Sequence, residues 1–278
     1  MTAKTKKKLL SFLFQLLAIA VGLLLIFPIL YAISLSFMKA PEILTRDIKL
    51  LPDSIQWENY RKALQITTLG RYMINSVILA GVSSFIRVIL ASLSAFAFAF
   101  FEFKGKNFLF MLCMSTMMIP GDVVLVTNYK TVASLGLTDT YLGMMAVFLL
   151  SVLNIFMMRQ YYLTFSKEIY EASRIDGCSN LRFYSRILLP LSKPVIATVY
   201  ISSFVSIWNT YLWPMLVTND DKLRTVQVGI TMLNSADGST IYGPIMAAAV
   251  MVLVPTVFVF VIFQKQIVGG MLSGSVKG

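Results

Sequence analysis

Six stretches of this chain stay apolar long enough to read as membrane-crossing helices: 9–37, 73–101, 108–126, 141–158, 188–212 and 241–263. A crossing needs ~20 mostly apolar residues at ~1.5 Å of rise each. The first two stretches exceed that length, so they tilt or extend beyond the bilayer. Lys4 to Lys8 followed by an apolar run resembles a signal peptide, but that run is too long and five more follow it. No tandem repeat, low-complexity tract or linker interrupts the pattern. The expectation is an all-α membrane protein with residues 1–278 forming one transmembrane domain.

The polar positions between the runs carry the rest of the information. Residues 38–72 contain "LPDSIQWENYRKAL", a turn followed by an amphipathic helix. Residues 214–240 form a long segment rich in turn formers, and such loops are often functional. If the N-terminus is cytoplasmic, the inner segments hold 14 Lys and Arg and the outer ones nine, with Arg87 inside a span. That bias favours both ends inside. It places the most polar stretch, 168–194 with seven charges, in the cytoplasm.

Composition agrees with lipid as the solvent. Hydrophobic residues make up 57% of the chain, charged residues 13%, and mean hydropathy is +0.76. Soluble domains carry about 25% charged residues. The net charge of +11 gathers at the ends of apolar runs, which suits topology and argues against nucleic acid. There is no histidine, so the commonest metal ligand and general base are both missing. Cys113 lies in an apolar run and Cys178 in a polar one, which fits neither a disulfide framework nor a zinc site. The single Gly-Lys pair, Gly105-Lys106, has no glycine-rich loop before it, so the chain has no P-loop.

The polar stretch predicts a short helix over about 167–177. Ser166 caps it, Glu168 and Glu171 lie toward its start, Arg174 toward its end, and Gly177 closes it. Ile169, Ala172, Ser173 and Asp176 share one face, and the small Ala172 and Ser173 permit close approach by a partner. So short a helix is marginal alone. It either docks in a groove of another protein or connects two spans along the bilayer surface.

"EASRIDG", nine residues, then "ILLP" resembles the EAA signature of permease subunits of binding-protein-dependent ABC importers. Glu171, Ala172, Gly177, Ile187, Leu189 and Pro190 match with the spacing intact, and Ser173 stands where the family has a second alanine. "NSVILA", "FKGKNFLF", "TDTYLG", "WNTYLWPM", "LRTVQVGI" and "GGMLSGSVKG" extend the resemblance to the sugar-uptake branch, of the maltose-permease second-subunit type, along nearly the whole chain. The resemblance implies that residues 167–185 couple to a cytoplasmic ATPase, with Asp176 within the docking segment. It implies a second, different permease subunit, two ATPase subunits that bind ATP and Mg, an extracellular sugar-binding protein, and a prokaryotic cell membrane. It also implies that the tail, Ser275, Val276, Lys277 and Gly278, reaches toward the ATPase.

Polar groups inside spans are the candidates for a solute pathway. Arg87 either snorkels to the outer leaflet, pairs structurally or contacts the solute, and structural pairing is favoured over solute contact. Met117 and Pro120-Gly121-Asp122 mark a kink that lines a cavity or merely packs. Asn154 faces a polar cavity. In "WNTYLWP", Trp208, Asn209 and Tyr211 offer ring faces and an amide to sugar C–H and hydroxyl groups, whereas Trp213 reads as interface belt. Thr210 stands where the family has an acid, which weakens any role carried by that acid. The expected function is one permease subunit of an ATP-driven sugar importer that works by alternating access. A permease for another small solute is the alternative. An ion-driven transporter normally has mid-membrane acids and an inverted repeat, but Asp122 is the only acid in a span. An enzyme lacks its constellation.

Overall fold

The computed structural model describes residues 3–45, 47–66, 68–233 and 242–272, with the backbone alone at 3–9, 66, 233 and 265–272. Every regular element among them is helical. In order they are α1 (Ala3–Ser36), α2 (Ala40–Ile43), α3 (Glu58–Ile66), α4 (Leu69–Phe100), α5 (Lys106–Ser115), α6 (Leu125–Ser134), α7 (Tyr141–Ala146), α8 (Val152–Tyr162), α9 (Lys167–Ile175), α10 (Asn180–Phe183), α11 (Leu189–Leu191), α12 (Lys193–Trp208), α13 (Leu212–Val217), α14 (Val226–Leu233) and α15 (Tyr242–Leu272). Short 3₁₀ turns follow α5 and α13, and a π turn, Tyr184–Leu188, joins α10 to α11. Packing draws one unit from 1–69 with 230–254, and another from 70–229 with 255–278.

Among the described residues three helices are long and apolar enough to cross a membrane, Leu10–Ser36 in α1, Leu69–Phe100 and Tyr242–Gln264 in α15, and the bent pair Asn180–Leu191 with Lys193–Trp208 makes a fourth if taken as one span. None of the most apolar window of the first is buried, while 44% of the corresponding α4 window is. Sequence explains the contrast. α1 is apolar on every side and offers lipid no preferred face. α4 carries Ala80, Ser84, Ala91, Ala95 and Ala99 along one stripe, all buried. Small residues let other helices approach closely where no water drives association.

In the first unit, α3 folds back on the end of α1. Phe37 meets Trp57 edge-on at 5.2 Å and Tyr60 at 5.1 Å. Asn59 Nδ2 donates to the carbonyls of Ser36 and Met38, both at 2.9 Å. The predicted amphipathic helix in 38–72 is therefore present.

In the second unit, α4, α8, α10, the π turn and α12 share a core of Val88, Phe96, Ile155, Met158, Phe183, Leu188 and Val199. Asn154 of α8 donates to Ser203 Oγ of α12 at 2.7 Å. Arg159 lies over the Phe110 ring of α5, 4.1 Å from its centre.

Three expected spans are not single helices. In 108–126, α5 gives way to a 3₁₀ turn at Thr116–Met118, and Pro120, with no N–H, prevents the helix from resuming before α6. In 141–158 the helix stops after Ala146 and restarts at Val152, where Ser151 Oγ accepts the Asn154 N–H at 3.4 Å. Arg87 Nε donates to the Phe148 carbonyl in this break at 2.5 Å. Irregular backbone needs such internal donors where water is scarce, so Arg87 is structurally paired, through a carbonyl rather than an acid. In 188–212, α12 begins only at Lys193, and the Asn180–Leu191 segment meets it at 78°. Pro190 and Pro194 flank that corner.

Candidate functional site

α9 forms for the local reasons its sequence states. Ser166 Oγ accepts the Glu168 N–H at 3.2 Å. At the other end Gly177 has φ +74°, its N–H bonds Arg174 O at 3.1 Å, and Cys178 N–H bonds Ser173 O at 2.9 Å. That pair of bonds is the Schellman closure, which requires a left-handed residue. Arg174 Nη1 adds a bond to Cys178 O at 2.8 Å.

Which face of α9 is free is decided by Tyr170. Its ring packs on Phe100 at 5.2 Å and Phe183 at 5.0 Å, and its hydroxyl donates to Asn180 Oδ1 at 2.9 Å. One turn on, Ser173 is buried and returns its hydroxyl to Tyr170 O at 2.6 Å. The expectation that Ser173 presents a small surface to a partner is thus corrected: it is small because its own chain lies against it. The bare face holds Glu168, Glu171, Ala172 and Ile175, and Ile175 is 86% exposed. Asp176, at the C-cap, is also exposed. Beyond the closure, Ile187 and Leu189 pack partly on the core and Pro190 is exposed, while the intervening Leu188 is buried outright.

The solute-pathway candidates do not converge on one cavity. Met117 and Gly121 are exposed at the break after α5. Asn154 is engaged with Ser203, so it does not face an open cavity. Trp208 is 1% exposed and stacks on Phe204 at 5.9 Å. Asn209 ends α12, donating to Val205 O at 2.8 Å and accepting from Gln227 Nε2 at 3.4 Å; it is exposed, and Tyr211 is half-buried. Trp213 is not an interface residue: it is 3% exposed and its indole N–H donates to Met144 O at 3.0 Å.

A second polar assembly, unforeseen from the sequence, holds the segment that follows α13. Asn75, 2% exposed in α4, donates to Lys222 O and Arg224 O at 2.9 Å each and accepts from the Tyr141 hydroxyl at 2.7 Å. Ser76 Oγ accepts the Val226 N–H at 2.8 Å. Asp139, at φ +54°, accepts from the N–H groups of Asn219 and Asp220. The Asp220 bond first, and then the Asn219 bond, hold its carboxyl below the usual carboxylate range. Gly143 makes the adjoining turn possible, because a Cβ there would sit 2.1 Å from Leu137 O. The first part of the long 214–240 segment is therefore a fixed platform; residues 234–240 lie outside the described residues, as does the tail 275–278.

Membrane-length apolar helices, together with a capped helix pinned on one face and bare on the other, define a many-helix membrane protein. The chain over residues 87–272 matches the family described as the binding-protein-dependent transport system inner membrane component, and the chain belongs to that family. It is 36% identical over 265 residues to the sn-glycerol-3-phosphate transport system permease protein UgpE of Brucella abortus (strain 2308), covering 92% of this chain and 94% of that one. The protein of the same name from Rhizobium meliloti (strain 1021) is 34% identical over 276 residues, covering 96% and 98%. A chain of the bacterial ABC transporter involved in the import of the acidic polysaccharide alginate has the same fold, with a TM-score of 0.82 at 22% identity, covering 94% of this chain and 97% of that one. This chain is a permease subunit of an ABC importer, a transport component rather than an enzyme.

Proposed function

We propose that the chain forms half of the pathway of an ATP-driven importer of a sugar or sugar-like polyol in a prokaryotic cell membrane. The observation that carries this is α9: one face is fixed inside the chain, and the other leaves Glu171, Ala172 and Ile175 bare. A nine-residue helix with a bare face of that kind fits a groove on a partner. The partners are a second permease, two ATPase subunits that bind ATP and Mg, and an external solute-binding protein. The chain crosses six times with both ends cytoplasmic, three crossings being broken, and the tail Ser275 to Gly278 reaches toward the ATPase. The Lys and Arg bias supports that orientation.

Closure of the ATPase pair on ATP displaces α9, and the spans exchange inward-facing for outward-facing arrangements as rigid bodies. Loaded binding protein outside and ATP inside bias the same equilibrium, so each strengthens the other's effect. Asn209 and Tyr211 contact solute at the outer end of their span, where Asn209 meets Gln227. Trp208 and Asn154, closed off in the present arrangement, line the pathway only after the switch. The relatives named for sn-glycerol-3-phosphate make that solute, with neutral sugars and polyols, the first to test.

The test is purification of the tagged chain from native membranes, identification of co-purifying chains, and uptake by the reconstituted assembly. Expected are an ATPase, a second permease, and uptake that needs both ATP and binding protein. Uptake by this chain alone, driven by an ion gradient, overturns the reading.

A further inference from the structure

Both ends of the α9 segment are tied to one residue of α4. Tyr162, the last residue of α8, and Tyr184, the first of the π turn, flank residues 163–183, which contain α9. Their hydroxyls meet on Ser92 Oγ, Tyr162 at 2.6 Å and Tyr184 at 2.8 Å. All three residues are buried, at 1% exposure for Ser92, 0% for Tyr162 and 8% for Tyr184. A serine hydroxyl has one proton and two lone pairs, so it serves both tyrosines at once. The neighbouring aromatic contacts run the same way: Phe96, one turn further along α4, lies 5.3 Å from the Tyr184 ring, and Phe100 lies 5.5 Å from Phe183.

Apolar packing alone tolerates sliding, because dispersion has no direction. Three buried hydroxyls resist sliding, since each unmade bond leaves a buried polar group unpaired. The π turn at Tyr184 adds a reason for a fastener. Such turns are rare and recur at functional positions, and this one stands just before the 78° corner.

We propose that Ser92, Tyr162 and Tyr184 form a hydroxyl clasp that makes α4, α8 and the π turn move as one body when α9 is displaced. These act as positioning residues, through the α9 segment that they hold at both ends. The inference rests on the reading of α9 as the element that meets the ATPase.

The experiment uses the complete transporter with its binding protein in proteoliposomes, measuring ATP hydrolysed per molecule of solute imported. Tyr184→Phe and Tyr162→Phe remove one hydroxyl each, Ser92→Ala removes the hub, and Ser92→Thr keeps a hydroxyl there. Expected for Tyr184→Phe and Ser92→Ala is a rise in that ratio of roughly fivefold or more, the shift governed by about one net hydrogen bond, with subunit assembly intact. Ser92→Thr restores the ratio, and adding Tyr184→Phe to Ser92→Ala changes it little beyond Ser92→Ala alone. An unchanged ratio in Tyr184→Phe and Tyr162→Phe overturns the clasp. So does a parallel fall of hydrolysis and uptake with lowered melting temperature, which marks a merely structural role. Ile175→Asp on the bare face separates the two readings. If it leaves assembly and ratio untouched, α9 does not meet the ATPase; if it disturbs them while the clasp variants do not, the clasp alone fails.

Discussion

Replacing Asn75 by Ala gives a quantitative test of the fixed platform. The side chain makes three hydrogen bonds from a site that is 2% exposed, two to the carbonyls of Lys222 and Arg224 and one from Tyr141. A net bond is worth ~0.5–1.5 kcal/mol, and an orphaned buried group costs ~1–3 kcal/mol. Lys222 O retains Arg71 Nε at 3.0 Å, and both carbonyls can recover water, so the loss falls near the lower end, about 2–3 kcal/mol. At about 1.4 kcal/mol per factor of ten, the population with the 218–225 segment open rises roughly 30- to 150-fold. Lys222 and Arg224 are trypsin sites held inside that segment. Cleavage there should accelerate by a comparable factor when opening is fast relative to proteolysis, while cleavage at Lys106 stays constant. Equal rates at Lys222 and Arg224 in variant and parent would refute the claim that Asn75 holds the platform.

Gly177→Val places a β-branched residue at φ +74°, where nothing else lies within reach of a new Cβ. The cost is therefore backbone strain, about 1–2 kcal/mol. It opens the Schellman closure, so ATP-driven uptake should fall more than assembly, and Gly177→Asn, which tolerates that conformation, should retain most of it. Asp139 has a depressed carboxyl pKa in the folded chain. Its contribution is present above the ordinary carboxylate range and is lost as pH falls through the depressed value. Amide exchange at Asn219 and Asp220, corrected for its intrinsic pH dependence, should quicken only in that acid window. Asp139→Ala should show the faster exchange already at neutral pH.

Legibility followed the range of the interactions. Capping and closure of α9 depend on residues within a few positions, and Ser166 and Gly177 announce them. The face of a nine-residue helix is different, because Ile169, Ala172 and Ser173 make as plausible a stripe as Tyr170 and Ser173. Only Phe100 and Phe183, brought in from other elements, make Tyr170 the inward residue. Pro120 marks the break after α5 openly. The break at 147–151 has neither proline nor glycine and sits in unbroken hydropathy. Its signals are Ser151, three residues before the N–H it caps, and Arg87, an unexplained charge 61 positions away. Asn75 and Asp139 were invisible because their partners lie 66 to 149 residues further on. The same distance misled the reading of Trp213, whose carbonyl partner Met144 removes it from the membrane surface.

The central claim is that the bare face of α9 meets an ATPase carried by another chain. Single cysteines at Ile175 and at Ser173, in a background with Cys113 and Cys178 replaced by serine, give two probes on opposite faces of one helix. With a short thiol crosslinker in native membranes, the account predicts an ATPase adduct from Ile175→Cys and none from Ser173→Cys. Adducts of equal yield from both positions, or none from Ile175→Cys in an assembled and active transporter, would contradict it.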